Sequence, residues 1–265
     1  MLKDITLGQY FPGDTVAHRL DPRTKQLLVI VYIVGLFNAV GWWSYAFVVV
    51  ITGLCMAVSK IRPAAAFKGL KPVIFIIILT ALLNIFYTKG TPIIEGWIIT
   101  WEGIEKAVMM SVRIILLIVG TFLLTYTTSP IALTDGLEIL LNPLKKIKVP
   151  VHEMSMMMSM ALRFIPTLIE ETDKIMSAQK ARGADFETGN LMQRAKALLP
   201  ILVPLFVSSF RRADELAVAM ESRCYHGGKG RTRMKTLRMQ GIDFLALFLG
   251  AAFLTAIFVL KKFGL

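Results

Sequence analysis

Long apolar stretches alternate with short charged ones up to about residue 128, and there the alternation stops. Residues 26–59 contain no charged side chain. A helical membrane span needs about 17–25 residues, so this stretch predicts two short spans rather than one. The break falls where Asn38, Gly41, Trp42, Trp43 and Ser44 cluster, and paired tryptophans at a turn suit a membrane interface. Residues 72–88 predict a third span, residues 107–128 a fourth, interrupted only by Arg113, and residues 244–260 a last one. Asp21 followed by Pro22 predicts the first helix start. The carboxylate can cap orphan N–H groups, and a proline at the first helical position gives up an N–H that had no partner.

The segment 129–241 reads differently, with 17 basic and 11 acidic residues. Its longest uncharged run, residues 197–210, contains Pro200 and Pro204. That is too short and too broken for a span, and predicts an apolar-faced helix lying against the membrane or against other helices. Residues 149–228 hold two long helical patterns, each ending in an arginine just before a loop. Nine positions separate Asp173 from Arg182, nine separate Asp214 from Arg223, and the second copy lies 41 residues after the first. At about 100° per residue the Asp and Arg of each copy fall on opposite faces, so the repeat marks related segments rather than a local ion pair. The expected architecture is an all-α integral membrane protein of about five transmembrane helices. It comprises a membrane domain of four spans at residues 1–128, a cytosolic module of long helices that acts as a coupling device at 129–241, and a C-terminal transmembrane helix at 242–265.

Composition agrees. Hydrophobic residues make up 55% of the chain, charged residues only 18%, and the mean hydropathy is +0.62. A soluble domain needs more polar surface than this. The net charge of +12 raises nucleic acid as a partner, but in membrane proteins basic residues gather on the cytosolic side. With five spans and a cytosolic N-terminus, 25 of the 30 basic residues fall on that side. Lys60, Arg62, Lys68 and Lys71 then form a cytosolic loop. The stretch with Lys89, Glu95, Trp97, Trp101, Glu102, Glu105 and Lys106 forms an external one. Arg19, Arg23 and Lys25 stand at a cytosolic membrane edge, as does the basic run of Lys229, Arg231, Arg233, Lys235 and Arg238. Lys261 and Lys262 at the outer C-terminal end are the exception to this bias. No cleavable signal precedes the first apolar run. Cys55 and Cys224 fall in a span and in a cytosolic loop, so no disulfide is expected. His18, His152 and His226 lack metal-ligand spacing, and no metal or cofactor is expected.

Each candidate feature has two readings. An arginine near the last helical carbonyls complements the helix dipole, and Gly183 after Arg182 is an ordinary helix stop. Capping alone does not require the same approach twice, however, and a guanidinium fork suits docking into a partner's carboxylates and carbonyls. Met154, Met156, Met157, Met158 and Met160 either pack a core or form an adaptable surface that re-packs against different partners. Arg113 either snorkels to the outer interface or makes a polar contact within the bundle or with a partner. The run Gly227, Gly228, Lys229, Gly230 lacks the phosphate-loop spacing and reads as a flexible basic connection. No phosphate-binding motif of that type occurs anywhere, so the chain is not expected to bind ATP.

Three groups of residues match a known family. They are Tyr10, Phe11, Pro12, Gly13 and Asp14 with His18, Arg19, Leu20, Asp21, Pro22, Arg23, Thr24 and Lys25; then Ala181, Arg182 and Gly183; then Glu221, Ser222, Arg223 and Cys224. On these motifs and the span pattern, nearly the whole chain resembles the transmembrane component of energy-coupling factor transporters, the EcfT/CbiQ family of ABC-type importers. The second motif departs from the family's Ala-Arg-Gly pattern at a position that varies there. The resemblance implies a scaffold in the plasma membrane that joins two cytosolic ATPase subunits to a small membrane protein that captures the substrate, a vitamin or related micronutrient. Arg182 with Ala181 and Gly183, and Arg223 with Ser222, would each dock one ATPase. The methionine cluster would contact the capture protein and pass movement to it. ATP would be hydrolysed by the partners and not by this chain. A dedicated cobalt or nickel importer scaffold would look alike. From other classes, a membrane-embedded lipid or phosphotransfer enzyme would need clustered acids or a nucleophile with its base, and the acids here are dispersed. A self-contained secondary transporter would keep its repeats and polar residues at mid-bilayer, whereas this repeat lies outside it.

Overall fold

The computed structural model describes residues 10–62, 64, 69–91, 99–186, 190–227 and 236–263. Expectations resting on Lys68, Glu95, Trp97, Gly228, Lys229, Gly230, Arg231, Arg233 and Lys235 lie outside these residues. The described elements are helical, and no sheet forms among them. Two compact units are built, one from the described residues of Gly8–Leu140 and Leu237–Leu265, the other from those of Leu141–Thr236.

The first unit contains α1 (Val16–Arg19), α2 (Pro22–Asn38), α3 (Trp42–Ser59), α4 (Ile74–Tyr87), α5 (Trp101–Thr127), α6 (Pro130–Leu140) and, from the end of the chain, α9 (Gly241–Lys262). Among the described residues, three helices are long and apolar enough to cross a membrane: Trp42–Ser59, Trp101–Thr127 and Gly241–Lys262. The stretch Lys71–Tyr87 is a shorter apolar helix. The uncharged stretch 26–59 is two helices, parted at Ala39–Gly41 where Gly41 takes φ 83°. Asp21 caps α2 as its sequence predicts, accepting from the Arg23 N–H with Pro22 at the first position. The fourth span begins earlier than residue 107. Thr100 accepts a hydrogen bond from the Gly103 N–H, so Trp101, Glu102, Glu105 and Lys106 lie on the first turns of α5 rather than in a loop.

Helices in lipid gain little from burying apolar area and rely on close packing. The core of this unit is Leu36, Tyr45, Val48, Leu116, Phe253 and Ile257. Phe253 stacks on Tyr32 and Phe47 at 6.1 and 5.9 Å. Gly120 allows α5 to approach Tyr32 so closely that a Cβ there would stand 2.3 Å from the ring. The Tyr32 hydroxyl donates to the Leu116 carbonyl at 3.0 Å and pairs with Thr52 at 2.9 Å. This satisfies polar groups that hydrocarbon would leave unmatched.

Charged residues tie the helix ends of this unit together. At one end the Asp243 carboxylate accepts the Asp21 N–H at 2.8 Å and the Gln240 N–H at 2.7 Å. Lys25, only 7% exposed, donates to the Thr127 carbonyl, and Arg23 reaches the Leu237 carbonyl. Lys25 and Arg23 are therefore internal clamps rather than a free basic edge. At the other end Arg113 donates to the Ala39 carbonyl at 3.2 Å and lies 5.6 Å from the Tyr45 ring centroid. It bonds the carbonyl of Ala39, just past the end of α2, which is the polar-contact reading. Lys261 bonds Asn38, and Trp42 bonds Glu105.

The second unit is a pair of 31-residue helices, α7 (Val151–Ala181) and α8 (Leu191–Glu221). A six-residue 3-10 turn, Asn142–Ile147, precedes α7. The apolar run 197–210 is the middle of α8, which continues through Pro200 and Pro204.

Candidate functional site

The two long helices lie antiparallel. Gln179 near the end of α7 donates to the Pro200 carbonyl near the start of α8, at 3.5 Å. Further along, Glu171 accepts from Ser208 and, at 2.7 Å, from Arg212. Further still, Met156, Met160, Arg163 and Phe164 of α7 share a groove of ≈ 360 Å³ with Leu216, Met220, Arg223 and Tyr225. In every contact the two residue numbers add to about the same total, which is the register of an antiparallel pair. The Pro200 carbonyl is open to Gln179 for a local reason: it is the acceptor that the residue at 204 would have used, and Pro204 has no N–H.

The ends of the two helices repeat each other. After α7, the Gly183 N–H bonds the Lys180 carbonyl at 3.0 Å and the Ala184 N–H bonds the Gln179 carbonyl at 3.0 Å. After α8, the Cys224 N–H bonds the Glu221 carbonyl at 2.8 Å and the Tyr225 N–H bonds the Met220 carbonyl at 3.0 Å. Both are Schellman ends, closed by one left-handed residue: Gly183 at φ 87° and Cys224 at φ 57°. In each copy the arginine comes immediately before that residue. Arg182 and Arg223 are both exposed, and neither side chain makes an ion pair or hydrogen bond among the described residues. Ala181, Gly183 and Ser222 are exposed beside them. The antiparallel register puts Arg182 at one end of the pair and Arg223 at the other, beside Met156 and Met160. At 1.5 Å per residue the two lie roughly 35 Å apart along the axis.

The five methionines divide between two faces of α7. Met156 and Met160, four residues apart, turn toward α8 and floor the groove. Met154, Met157 and Met158 face outward at 45%, 58% and 42% exposure. Packing and open surface are thus both present, one on each side of the helix.

Two features escaped the sequence reading. One is the Glu171 clamp. Its bonds to Ser208 and Arg212 hold the carboxyl below the usual range, the Ser208 hydroxyl contributing most and the Arg212 charge adding to it. The four-residue spacing of Ser208 and Arg212 was the available signal, but nothing in the sequence pointed it at Glu171. Another is Arg163, which lines the groove with Arg223. The apolar face expected over residues 197–210 is present as an outward stripe on α8 at helical spacing, Leu199, Leu202, Val203, Phe206 and Phe210, each more than half exposed. Phe206 and Phe210 meet edge to face at 4.7 Å.

The model of the CbiQ family, described as cobalt transport protein, matches residues 13–235, a range that contains both long helices. The chain belongs to this family. It is 58% identical over 250 residues to the energy-coupling factor transporter transmembrane protein EcfT of Clostridium kluyveri, covering 93% of each chain. It is 51% identical over 264 residues to that of Ruminiclostridium cellulolyticum, covering 98% of each. It is 49% identical over 246 residues to that of Bacillus subtilis, covering 92% of this chain and 93% of the other. The protein is therefore the transmembrane, non-catalytic component of an energy-coupling factor transporter, a membrane protein with helical spans.

Proposed function

We propose that α7 and α8 are the arms through which this chain couples to the rest of its transporter, with Arg182 and Arg223 as the docking points of two cytosolic ATPase subunits. One observation carries this reading: the same helix-ending motif occurs twice, each time presenting an arginine whose side chain is unpaired among the described residues, at opposite ends of one antiparallel pair. Two like ends roughly 35 Å apart suit two like partners. A guanidinium held before a left-handed turn can enter a groove and satisfy several acceptors at once. Ala181, Gly183 and Ser222 shape the approach.

The outward methionines Met154, Met157 and Met158 meet a small membrane protein that captures the substrate, since flexible thioethers tolerate a surface that slides. Met156 and Met160 back them from inside the arm pair. The chain sits in the plasma membrane with its N-terminus and residues 129–241 in the cytosol and its C-terminus outside, supported by the gathering of basic residues on that side. The cargo is a vitamin or related micronutrient. A dedicated cobalt or nickel importer is the second reading, favoured by the description of the matching family.

The test is an affinity purification of Arg182→Glu plus Arg223→Glu from membranes that contain all components. Loss of both ATPases from a chain that still inserts and purifies as a folded protein is the expected result. A double variant that retains its full complement of ATPase would end this reading.

A further inference from the structure

The tightest polar contact in the arm pair lies at neither arginine but between them. Glu171 accepts one hydrogen bond from the Ser208 hydroxyl and another, at 2.7 Å, from Arg212 Nη2. Ser208 and Arg212 are four residues apart, so both reach from the same face of α8. The Glu171 and Arg212 side chains are 20% and 38% exposed, which leaves the pair partly shielded from water. Among the described contacts, those on either side of this point are longer or more open. Toward Arg182 the arms meet through the long 3.5 Å bond from Gln179 to the Pro200 carbonyl. Toward Arg223 they part around the groove of ≈ 360 Å³.

Prolines bracket the same point. Pro166 lies inside α7 on the Arg223 side of Glu171, and Pro204 lies inside α8 on the Arg182 side of Ser208. Each stands about 7 Å along the axis from the clamp. An interior proline removes one helix hydrogen bond and lets the helix bend there. The N-terminal part of each arm can therefore bend relative to this clamp, on opposite sides for the two arms, while the arginine-bearing part of each stays rigid with it. That is the arrangement of two antiparallel levers joined at this clamp.

We propose that the Glu171–Ser208–Arg212 clamp is the pivot of the arm pair, and that Glu171 is a positioning residue which passes movement at one arginine to the other arm. The proposal rests on the docking reading of Arg182 and Arg223, but the clamp itself takes no part in docking. Without it the ATPases stay bound and keep hydrolysing ATP, while each arm moves without the other.

The experiment uses the complete transporter, purified with its partners and placed in liposomes. Spin labels sit on exposed positions of the two arms, Ser177→Cys and Ala217→Cys, with Cys55→Ser and Cys224→Gly removing the native thiols. The readouts are ATPase subunits retained, ATP hydrolysed, and the change in label separation on adding ATP. The clamp variant is Glu171→Gln, which keeps the shape and loses the charge. The rescue variant exchanges the charges, Glu171→Arg with Arg212→Glu, and Ser208 can then accept from the arginine.

The expected result is loss of the ATP-driven change in separation in Glu171→Gln, with ATPase content and hydrolysis within about twofold of the parent, and recovery in the exchanged pair. An unchanged ATP-driven movement in Glu171→Gln overturns the pivot. So does a loss that the exchange fails to repair, a loss of assembly in both variants, or an absence of movement in the parent complex. If the parent complex carries no ATPase, the docking reading falls first, and that outcome is visible before any clamp variant is made.

Discussion

At the end of α7 the left-handed position is filled by Gly183, and at the end of α8 the same position is filled by Cys224. The hydrogen bonds around the two are the same. Glycine enters that conformation freely, whereas a residue with a Cβ is disfavoured by about 1–2 kcal/mol. The second end thus keeps its geometry against a local penalty, and its surroundings supply the difference. Tyr225, just after the turn, is packed into the groove with Met156, Met160 and Phe164. At the first end a Cβ at Gly183 would meet nothing within 4 Å, and glycine itself satisfies the left-handed position. The comparison also separates the charges. Arg223 shares its groove with Arg163, while Arg182 follows the exposed Lys180 at the end of α7.

The largest expected effect tests whether the ends are equivalent. Arg182→Glu should weaken association of its ATPase by roughly 30-fold or more, since reversing a docked charge costs about 2–5 kcal/mol. Arg223→Glu should cost only about a third as much in free energy, because Arg163 keeps positive charge at that end. Titrating purified ATPase subunits onto each variant measures both, and equal losses would mean that Arg163 contributes nothing. Replacing either arginine by lysine should weaken association by about tenfold, because a point charge cannot reproduce the planar fork. The same titration reads this out.

Smaller effects probe the turns. Gly183→Ala should destabilise the end of α7 by about 1 kcal/mol, and Cys224→Gly should stabilise the end of α8 by about 0.5–1 kcal/mol. Hydrogen exchange at the amides of residues 183–184 and 224–225 reports each change locally. If Cys224→Gly loosened its turn instead, the left-handed geometry there would not be under strain.

The smallest effect concerns pH. Glu171 is held below its ordinary value of 4.5, mainly by the Ser208 hydroxyl. A depressed folded value means that the clamp's contribution is complete above 4.5 and fades as pH falls through the lower, folded value. Exchange protection of the arm amides should therefore be level from pH 7 to 5 and decline below about 4.5. In Arg212→Leu the folded value moves back toward 4.5, so the decline should be smaller and end at a higher pH.

Much of this was legible in the sequence because it is local. The Asp21–Pro22 start, the break at Asn38–Trp42 and the arginine before Gly183 each depend on a few neighbouring residues. Apolar run length likewise located the spans, although the capping bond from Gly103 to Thr100 moved the start of α5 to Trp101. What was not legible depends on partners far along the chain. Lys25 reads as a surface cation until Thr127, 102 positions on, is brought to it. Arg113 is open to both snorkelling and polar-contact readings until the Ala39 carbonyl is beside it. Cys224 carries no sequence signal for a left-handed turn.

From the sequence alone came an all-helical membrane chain, the rough position of its long apolar helices, and the repeat that marks the two arms, because hydrophobic period, run length and capping chemistry act over one or two turns; the short helices Val16–Arg19 and Pro130–Leu140 were not among them. The tertiary structure alone decided that the arms run antiparallel, that their arginines stand at opposite ends, that the methionines divide between two faces, and that Glu171 joins the arms between two prolines. Those facts depend on which faces of two 31-residue helices meet, and that is set by packing over the whole length of the pair and not by any stretch within it.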